Sequence, residues 1–425
     1  MSISGLDITQ IMTTIYAGAA KRAITPDLAA KPVFLAGFQN NRRATAVHDD
    51  LYVRALSIHV DSGTSDDSEV DTFVLAACDL IGILHADVLS IRQAAQERGI
   101  DARGLVVANT HTHSGPDTIG LWGPSRFRSG VDPDYQAFLR GQVVEAVVQA
   151  VGNAQPAQLR VGRAELGRWL KNARQPQIVD RELSVLQASA LGGDAIFTLV
   201  NLACHPEVMF GENTEITADY AGAACRAIEA RAGGTGICAS ADIGGMMTPD
   251  VKREDRSFET VEQMGNDVAT TALDALARGG SLETSRMHLG RRDVLVPLDN
   301  PLFRFARTIG VLPRLQRDRQ GHVRTQVSML DLGQARLVTI PGELFPRSGM
   351  RLREMLGAPY RFLIGLADDE LGYLLPSDEF VYPRNPLNPG AHYEETMSLS
   401  RYATPLLMEA WVALLAEIPR VEEGA

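Results

Sequence analysis

Residues 105–116 of the chain read LVVANTHTHSGP, an apolar run that ends directly in two histidines. The run at 105–108 contains β-branched valines and predicts a short buried strand. If the extended geometry continues beyond it, His111 and His113 project from one face, where one imidazole can bind a metal and the other can face a substrate. A hydrogen-bonded pair of histidines at a strand end is the alternative, and this pattern alone does not decide between them.

The same arrangement, an apolar run followed by a side chain able to bind a metal, recurs later in the chain. The runs and the residues that follow them are 196–203 with His205, 336–340 with Glu343, and 362–366 with Tyr373. In α/β sheets, ligands bind at the carboxyl ends of strands, because the loops there converge while the sheet holds them rigid. The second strand-end histidine favours a metal site, and these loops are its predicted location.

Apolar runs alternate with helical patterns along the chain, which predicts an α/β fold. The predicted strands are 73–77, 105–108, 196–203, 236–239, 336–340 and 362–366, and the predicted helices are 87–97, 135–151, 220–231 and 347–356. With 425 residues the chain exceeds the usual size of one hydrophobic core, so one large domain or two fused lobes are both admissible. No boundary is evident, and the polar stretch 62–68 is short enough for a hairpin loop. We expect mixed central β-sheets flanked by helices, in one domain over residues 1–425.

Charge and composition narrow the class of partner. The net charge is −11, and the lysines and arginines are scattered, which argues against nucleic acid and against an anionic membrane surface. No apolar stretch is long enough to span a membrane. We therefore expect a small-molecule partner and no stable membrane association, while homo-oligomerisation stays open. The one basic cluster, at 40–43, is either a solvated loop or a lid that meets an anionic group.

The first fifteen residues and the cysteines bear on the compartment. The opening segment lacks the basic region and the continuous apolar region of a secretory signal, which predicts a cytoplasmic protein. No C-x-x-C pair occurs, so buried free thiols are favoured over metal ligands or disulfides. The cysteines are Cys78, Cys204, Cys225 and Cys238.

A catalytic zinc ion typically takes three nitrogen or oxygen ligands and keeps one position for water. His111, His205 and Glu343 fit that requirement. Glu343 also precedes a predicted helix whose first turn suits a negative charge, and a tyrosine after a strand, such as Tyr373, usually packs. Asp219 has two interpretations as well, a carboxylate that orients a ligand imidazole or an N-cap of the following helix.

Ordered motifs along nearly the whole chain resemble the catalytic N-terminal domain of the neutral ceramidase family. The most distinctive motif is THTHSGP at 110–116. The others, in the family's order, are AGAA at 17–20 with ITP at 24–26, GF at 37–38, VH at 47–48 with RA at 54–55, CDL at 78–80, NAR at 172–174, VDRE at 179–182, CHP at 204–206, ADY at 218–220, and IPGE at 340–343 before GMRLR at 349–353. Such an ordered series is hard to obtain by chance.

The resemblance implies one zinc ion per chain and a set of ligands. These are the first histidine of the HTH motif, the histidine after the central strand, the glutamate of PGE and a downstream tyrosine, which correspond to His111, His205, Glu343 and Tyr373, with Tyr382 as the fallback for the tyrosine. It also implies that His113 and Arg174 orient the substrate and stabilise the oxyanion. Arg174 is shifted by one position from the family's segment.

Three departures from the family bear on the substrate. Thr248 stands in place of a serine, in a turn at 242–250 that carries one extra residue, and its hydroxyl is expected to position the substrate. We find no counterpart of the family's C-terminal immunoglobulin-like domain. Aromatic residues make up only 6%, whereas a tunnel for an acyl chain would be lined by large apolar side chains. Membrane ceramide is therefore not the expected substrate.

Together these features predict a zinc-dependent hydrolase that cleaves an amide bond, or an ester or lactone, in a small molecule. The metal would activate a water molecule, with His113 assisting proton transfer and Arg174 adding positive charge at the oxyanion. Two alternatives stay open. One is a zinc-dependent lyase or isomerase that acts through a metal-stabilised enolate, and the other is a homologue that has lost activity and binds a ligand.

Overall fold

The structure is a computed structural model that describes residues 14–61, 70–284 and 287–418, and it contains both β-strands and α-helices. The strands of this part of the chain are Thr14–Ala23 (β1), Ala46–Val47 (β2), Tyr52–Asp61 (β3), Thr72–Cys78 (β4), Leu105–Asn109 (β5), Gln155–Glu165 (β6), Leu170–Asn172 (β7), Glu182–Ala190 (β8), Ala195–Leu202 (β9), Glu215–Ile216 (β10), Thr235–Ser240 (β11), Met247–Pro249 (β12), Gly280–Leu282 (β13), His288–Pro297 (β14), His322–Asp331 (β15), Ala335–Thr339 (β16), Glu343–Leu344 (β17), Tyr360–Ile364 (β18) and Tyr373–Leu374 (β19). The α-helices are His85–Glu97 (α1), Pro133–Gly152 (α2), Asp219–Ala232 (α3), Phe258–Arg278 (α4), Pro301–Thr308 (α5), Pro346–Leu356 (α6), Tyr393–Thr396 (α7) and Ala403–Glu417 (α8).

The largest sheet has nine strands in the order β11-β9-β8-β6-β1-β3-β4-β5, with β13 attached to β6. Within the described residues, its two halves pair only between β1 and β6, over two residues, Tyr16 opposite Pro156 and Ala17 opposite Gln155. The sheet bends at this short pairing, so that β11 packs across β3, β4 and β5. The bend brings the carboxyl ends of β5 and β9, which are far apart in strand order, to the same place.

A second sheet, of order β14-β15-β16-β18, shares one apolar interior with both halves of the large sheet. That interior includes Leu75 of β4, Leu199 of β9 and Phe362 of β18. Helices cover the outside: α2 packs on β1 and β3, α4 on β6 and β8, and α8 on β14 and β15. Local chemistry supports these helices, since Asp132 accepts a hydrogen bond from the backbone N–H of Asp134 at the start of α2, where Pro133 suits the first turn.

This architecture confirms the predicted fold class, mixed β-sheets flanked by helices. The strands and helices that the apolar runs predicted are present, with ends that differ by one to a few residues. The antiparallel strands β1, β3, β6, β8, β14 and β15 and the helices α4 and α8 were not predicted. The predicted hairpin loop at 62–68 lies outside the described residues. Among the helices of the described part, none is both long enough and apolar enough to cross a membrane.

Trp411 packs α8 on the smaller sheet, and its substitution tests this packing. Its side chain is fully buried, and its indole N–H donates to the carbonyl of Thr339 at 3.1 Å. We expect W411A to lower the free energy of unfolding by about 3–5 kcal/mol, because the change leaves a large cavity. Urea denaturation followed by circular dichroism measures this. The control is V412A on the same helix, where the valine is 51% exposed. Equal effects of the two substitutions would contradict this packing.

Candidate metal centre

Four strand ends converge on one buried point. His111 follows β5 and His205 follows β9, while Glu343 begins β17 and Tyr373 begins β19. The strands β17 and β19 pair in parallel, and Glu343 is the direct register partner of Tyr373. Strand pairing and the bend of the large sheet therefore bring His111, His205 and Glu343 together and place Tyr373 beside Glu343.

The carboxylate of Glu343 lies between two imidazoles. Its Oε2 is 3.0 Å from Nε2 of His205, and its Oε1 is 3.6 Å from Nε2 of His111. The two imidazole ring centres are 5.0 Å apart, and all three side chains are buried. The imidazole nitrogens and the carboxylate oxygens, all able to bind a metal, therefore face one another across a space of a few ångströms.

Hydrogen bonds to backbone carbonyls define the tautomer of both imidazole rings. Nδ1 of His111 donates to the carbonyl of Ile81 at 2.5 Å, and Nδ1 of His205 donates to the carbonyl of Met247 at 2.7 Å. Because a carbonyl oxygen can only accept, each Nδ1 carries the proton, and in the neutral ring each Nε2 carries a lone pair. This is the tautomer of a histidine that binds a metal through Nε2.

The carboxylates around His205 favour a positive charge between the imidazoles and Glu343. Burial lowers the pKa of His205, but the carboxylates of Glu343 and Glu207 outweigh it and raise that pKa to about 9. The pKa of His111 is lowered well below its usual value by burial and by the neighbouring histidines. A neutral Nε2 beside a carboxylate oxygen is repulsive unless a cation lies between them. The residues present therefore fit a divalent metal, whose charge would replace the proton.

A third histidine belongs to the same cluster. One nitrogen from each of His111, His113 and His205 can be chosen so that all three lie within 4.8 Å of one another, so this group can hold a metal ion. The backbone of His111 has φ 67°, an uncommon conformation for a residue other than glycine and one that often marks a functional site. Imidazole and carboxylate ligands suit zinc and other divalent transition metals.

His113 is oriented by a carboxylate that sequence reasoning missed. Its Nδ1 lies 3.0 Å from Oε2 of Glu207, which leaves Nε2 as the nitrogen available to the cavity. Burial raises the pKa of Glu207, but the charges of His113 and His205 and the hydroxyl of Thr248 lower it to about 2. The available signal was position alone, since Glu207 comes two residues after His205.

The ring of His113 is also packed tightly on its other side. Phe38 meets it edge-on, with ring centres 4.8 Å apart. Gly37 has φ 100°, and a Cβ atom placed there would lie 2.4 Å from Cγ of His113. Only glycine fits this position, because the backbone conformation and the close approach both exclude a side chain.

Arg42 of the basic cluster at 40–43 is buried. Its guanidinium donates to the backbone carbonyls of Ala36 and His113, and to that of Phe210 at 3.3 Å. Burial lowers its pKa to about 10. Arg42 therefore fixes the backbone of the histidine motif from inside, which neither the solvated loop nor the lid interpretation of the cluster anticipated.

Arg174 pairs with carboxylates outside the histidine cluster. Its guanidinium pairs with Glu394 and Glu395, each at 2.8 Å, and stacks over Phe345. Those carboxylates belong to α7, whose first residue, Tyr393, does line the metal-site cavity. Arg174 thus adjoins the cavity through α7, and its contact with an oxyanion stays a prediction.

Asp219 and Tyr382, two other residues singled out in the sequence, form hydrogen bonds to groups other than the ligand imidazoles. The carboxylate of Asp219 accepts hydrogen bonds from the backbone N–H groups of Val208, Met209 and Tyr220 at 2.7–3.3 Å, so it holds the loop after His205 rather than an imidazole. The hydroxyl of Tyr382, the fallback ligand, donates to Asn300 at 3.3 Å.

Tyr373 lies at the cavity beside Glu343. Its hydroxyl donates to the sulfur of Met246 at 3.2 Å, and burial with the charge of Glu343 raises its pKa well above the usual range. The cavity has a volume of about 40 Å³. It is lined by Gly37, Ile81, His111, His113, Ile119, Leu121, Trp122, Phe303, Glu343, Glu370, Gly372, Tyr373, Tyr393 and Met397.

The fold and this cluster define an α/β protein with a buried histidine–carboxylate site, and solved structures identify the fold. The chain is similar to neutral ceramidase from Pseudomonas aeruginosa, with a TM-score of 0.77 and 17% identity over 97% of this chain and 76% of that chain. It is equally similar to a ceramidase complexed with C2, with a TM-score of 0.77 and 17% identity over 97% and 77% of the two chains. The chain therefore has a neutral ceramidase-like fold. No family model matches the sequence, and no curated protein matches it significantly.

Removal of one ligand imidazole tests the metal centre. We expect wild-type protein to hold close to one zinc ion per chain, and H205A to bind zinc more than about 100-fold more weakly, because losing a ligand exceeds the 10–100-fold effect of losing a ligand's hydrogen-bond partner. Elemental analysis and a competitive chelator titration measure this. The control is H322A, which removes a partly exposed imidazole paired with Asp318. Equal zinc content in H205A and wild type would refute the site.

Proposed function

We propose that the chain is a zinc-dependent hydrolase that cleaves an amide bond, or an ester or lactone, in a small molecule. One observation carries the proposal: His111 and His205 each donate Nδ1–H to a carbonyl and present Nε2 to the carboxylate of Glu343. The neutral ceramidase-like fold supports it, because the solved structures with this fold are named as ceramidases.

The ligands of the proposed zinc ion are His111, His205, Glu343 and Tyr373. When bound, zinc supplies Lewis acidity at a carbonyl oxygen and lowers the pKa of water. Burial of the ligands strengthens every charge interaction at the site, since little water screens it.

His113 and Glu207 form the proposed proton-transfer pair. The carboxylate 3.0 Å from Nδ1 favours the protonated form of the ring. Nε2 is then free to move a proton to or from the reacting groups in the cavity. Thr248 is proposed to position the substrate, and Arg174, which pairs with Glu394 and Glu395 of α7, to add positive charge at the oxyanion.

The shape of the cavity supports a small substrate. Its volume of about 40 Å³ is small beside the roughly 300 Å³ at the lower end of ligand pockets. Trp122 and Phe303 form part of its wall. We propose a compact amide or ester as the substrate and not membrane ceramide.

A substrate panel in oxygen-18 water tests the reaction class. We expect turnover of short amides, esters or lactones, its loss on treatment with a chelator, its return with zinc, and one solvent oxygen in the acid product. Mass spectrometry of the products measures this. A lyase or isomerase would yield products without solvent oxygen, and a ligand-binding homologue would yield none, so either outcome would overturn the proposal.

The His113–Glu207 pair has its own test. We expect E207Q to lower kcat by about 100-fold, because an amide cannot stabilise a protonated imidazole and general acid–base catalysis contributes about 10²–10⁴-fold. Zinc content should stay that of wild type. The matched control is E212Q, which makes the same change at a half-exposed glutamate paired with arginines. An unchanged kcat in E207Q would remove the pair from the mechanism.

A further inference from the structure

A buried glutamate that the proposed mechanism does not use lies in the wall of the cavity. Glu370 is 7% exposed and lines the cavity together with His111 and Glu343. Its Oε1 accepts a hydrogen bond from the backbone N–H of Gly372 at 2.9 Å, whereas no described residue hydrogen-bonds to its Oε2. A buried carboxyl oxygen without a partner costs free energy, so its presence calls for an explanation.

The segment that carries Glu370 is rigid. Asp368 has φ 64° and pairs with the buried Arg92 at 2.7 Å. The next carboxylate, of Asp369, accepts hydrogen bonds from the backbone N–H groups of His85 at 2.9 Å and Glu370 at 2.8 Å. An uncommon backbone conformation and buried polar contacts thus hold a side chain whose Oε2 has no hydrogen-bond partner among the described residues. That arrangement is expected of a residue that binds a ligand.

The wall of the cavity away from the histidines is largely apolar. Its apolar side chains are Ile81, Ile119, Leu121, Trp122, Phe303 and Met397. Against this background Glu370 is one of the few polar groups that a bound molecule can meet. A small number of placed polar groups in an apolar pocket usually sets orientation and specificity.

We propose that Glu370 selects, among the substrates of the hydrolase, those that carry a hydroxyl or amino group near the scissile bond. This inference rests on the proposed function, because it takes the reacting carbonyl to lie at the metal centre. A hydroxyl can donate to a carboxylate or accept from a carboxylic acid, and an amine can donate. A methyl group in the same place would leave Oε2 of Glu370 unpaired, which is how polar pockets reject apolar analogues.

Three hydroxamic acids of similar size test this recognition without turnover. Glycolohydroxamic acid, glycine hydroxamate and propionohydroxamic acid carry a hydroxyl, an amino and a methyl group at the same position. Titrated calorimetrically into zinc-loaded protein, the hydroxyl or the amino compound should bind at least about tenfold more tightly than the methyl compound, because the methyl compound leaves a buried carboxyl oxygen without a partner.

A second matched set places the same groups on the nitrogen side of the carbonyl. N-(2-hydroxyethyl)acetamide, N-(2-aminoethyl)acetamide and N-propylacetamide are compared as substrates by acetate release. Preference for the hydroxyl or amino member over the methyl member in either set supports the proposal. Equal treatment of all members in both sets would overturn it.

Variants assign the preference to Glu370. E370M should abolish the preference while zinc content stays that of wild type. The control M397L changes another cavity-lining side chain and should keep the preference. If E370M does not fold, E370A tests the same point and should also abolish the preference, because it removes the carboxyl oxygen that the hydroxyl or amino group would meet. A preference retained in the folded variant would overturn the proposal.

Different results would refute the proposed function and the role of Glu370. Wild-type protein that binds neither zinc nor any hydroxamate would contradict the proposed function, and the inference on Glu370 with it. Zinc-loaded protein that binds all three hydroxamates equally and treats the three amides equally would leave the metal centre standing and refute the role of Glu370 alone.

Discussion

The carboxylate of Glu343 between two imidazole nitrogens is the constraint on which the site depends. Two lone-pair donors and a carboxylate cannot remain close together in a buried space without positive charge. Here the backbone enforces the closeness, because the carbonyls of Ile81 and Met247 hold the rings and the β17–β19 pairing holds the carboxylate. Affinity for a cation is therefore a consequence of how the polypeptide backbone is arranged.

That arrangement in turn depends on the bend of the large sheet. His111 and His205 follow strands from opposite halves of the sheet, which pair over only two residues at β1 and β6. Glu343 and Tyr373 come from segments that follow the smaller sheet. No short piece of the chain contains the complete set, so metal binding and the final packing of the two sheets are expected to be coupled.

The sequence predicted those parts of the fold and site that are encoded locally. Buried strands appear as apolar runs, and the side chain at the end of such a run lies at a sheet edge wherever the strand is placed, which is why His111 and His205 could be picked out. The antiparallel strands such as β6 escaped, because exposed polar residues interrupt their apolar pattern. The partner of His113, the burial of Arg42 and the pairing of Arg174 with α7 also escaped, since each joins segments distant in sequence. Glu343 and Tyr373 were undecided on residue chemistry and entered through the family resemblance.

Gly37 limits how the cavity can be redesigned. Its backbone conformation and its closeness to the ring of His113 leave no room for any other residue there. Protein engineers who want a larger or differently shaped binding space must therefore work from the opposite wall, at Leu121, Trp122 or Phe303. Libraries randomised at those three positions would vary substrate size while the histidine side of the pocket kept its shape.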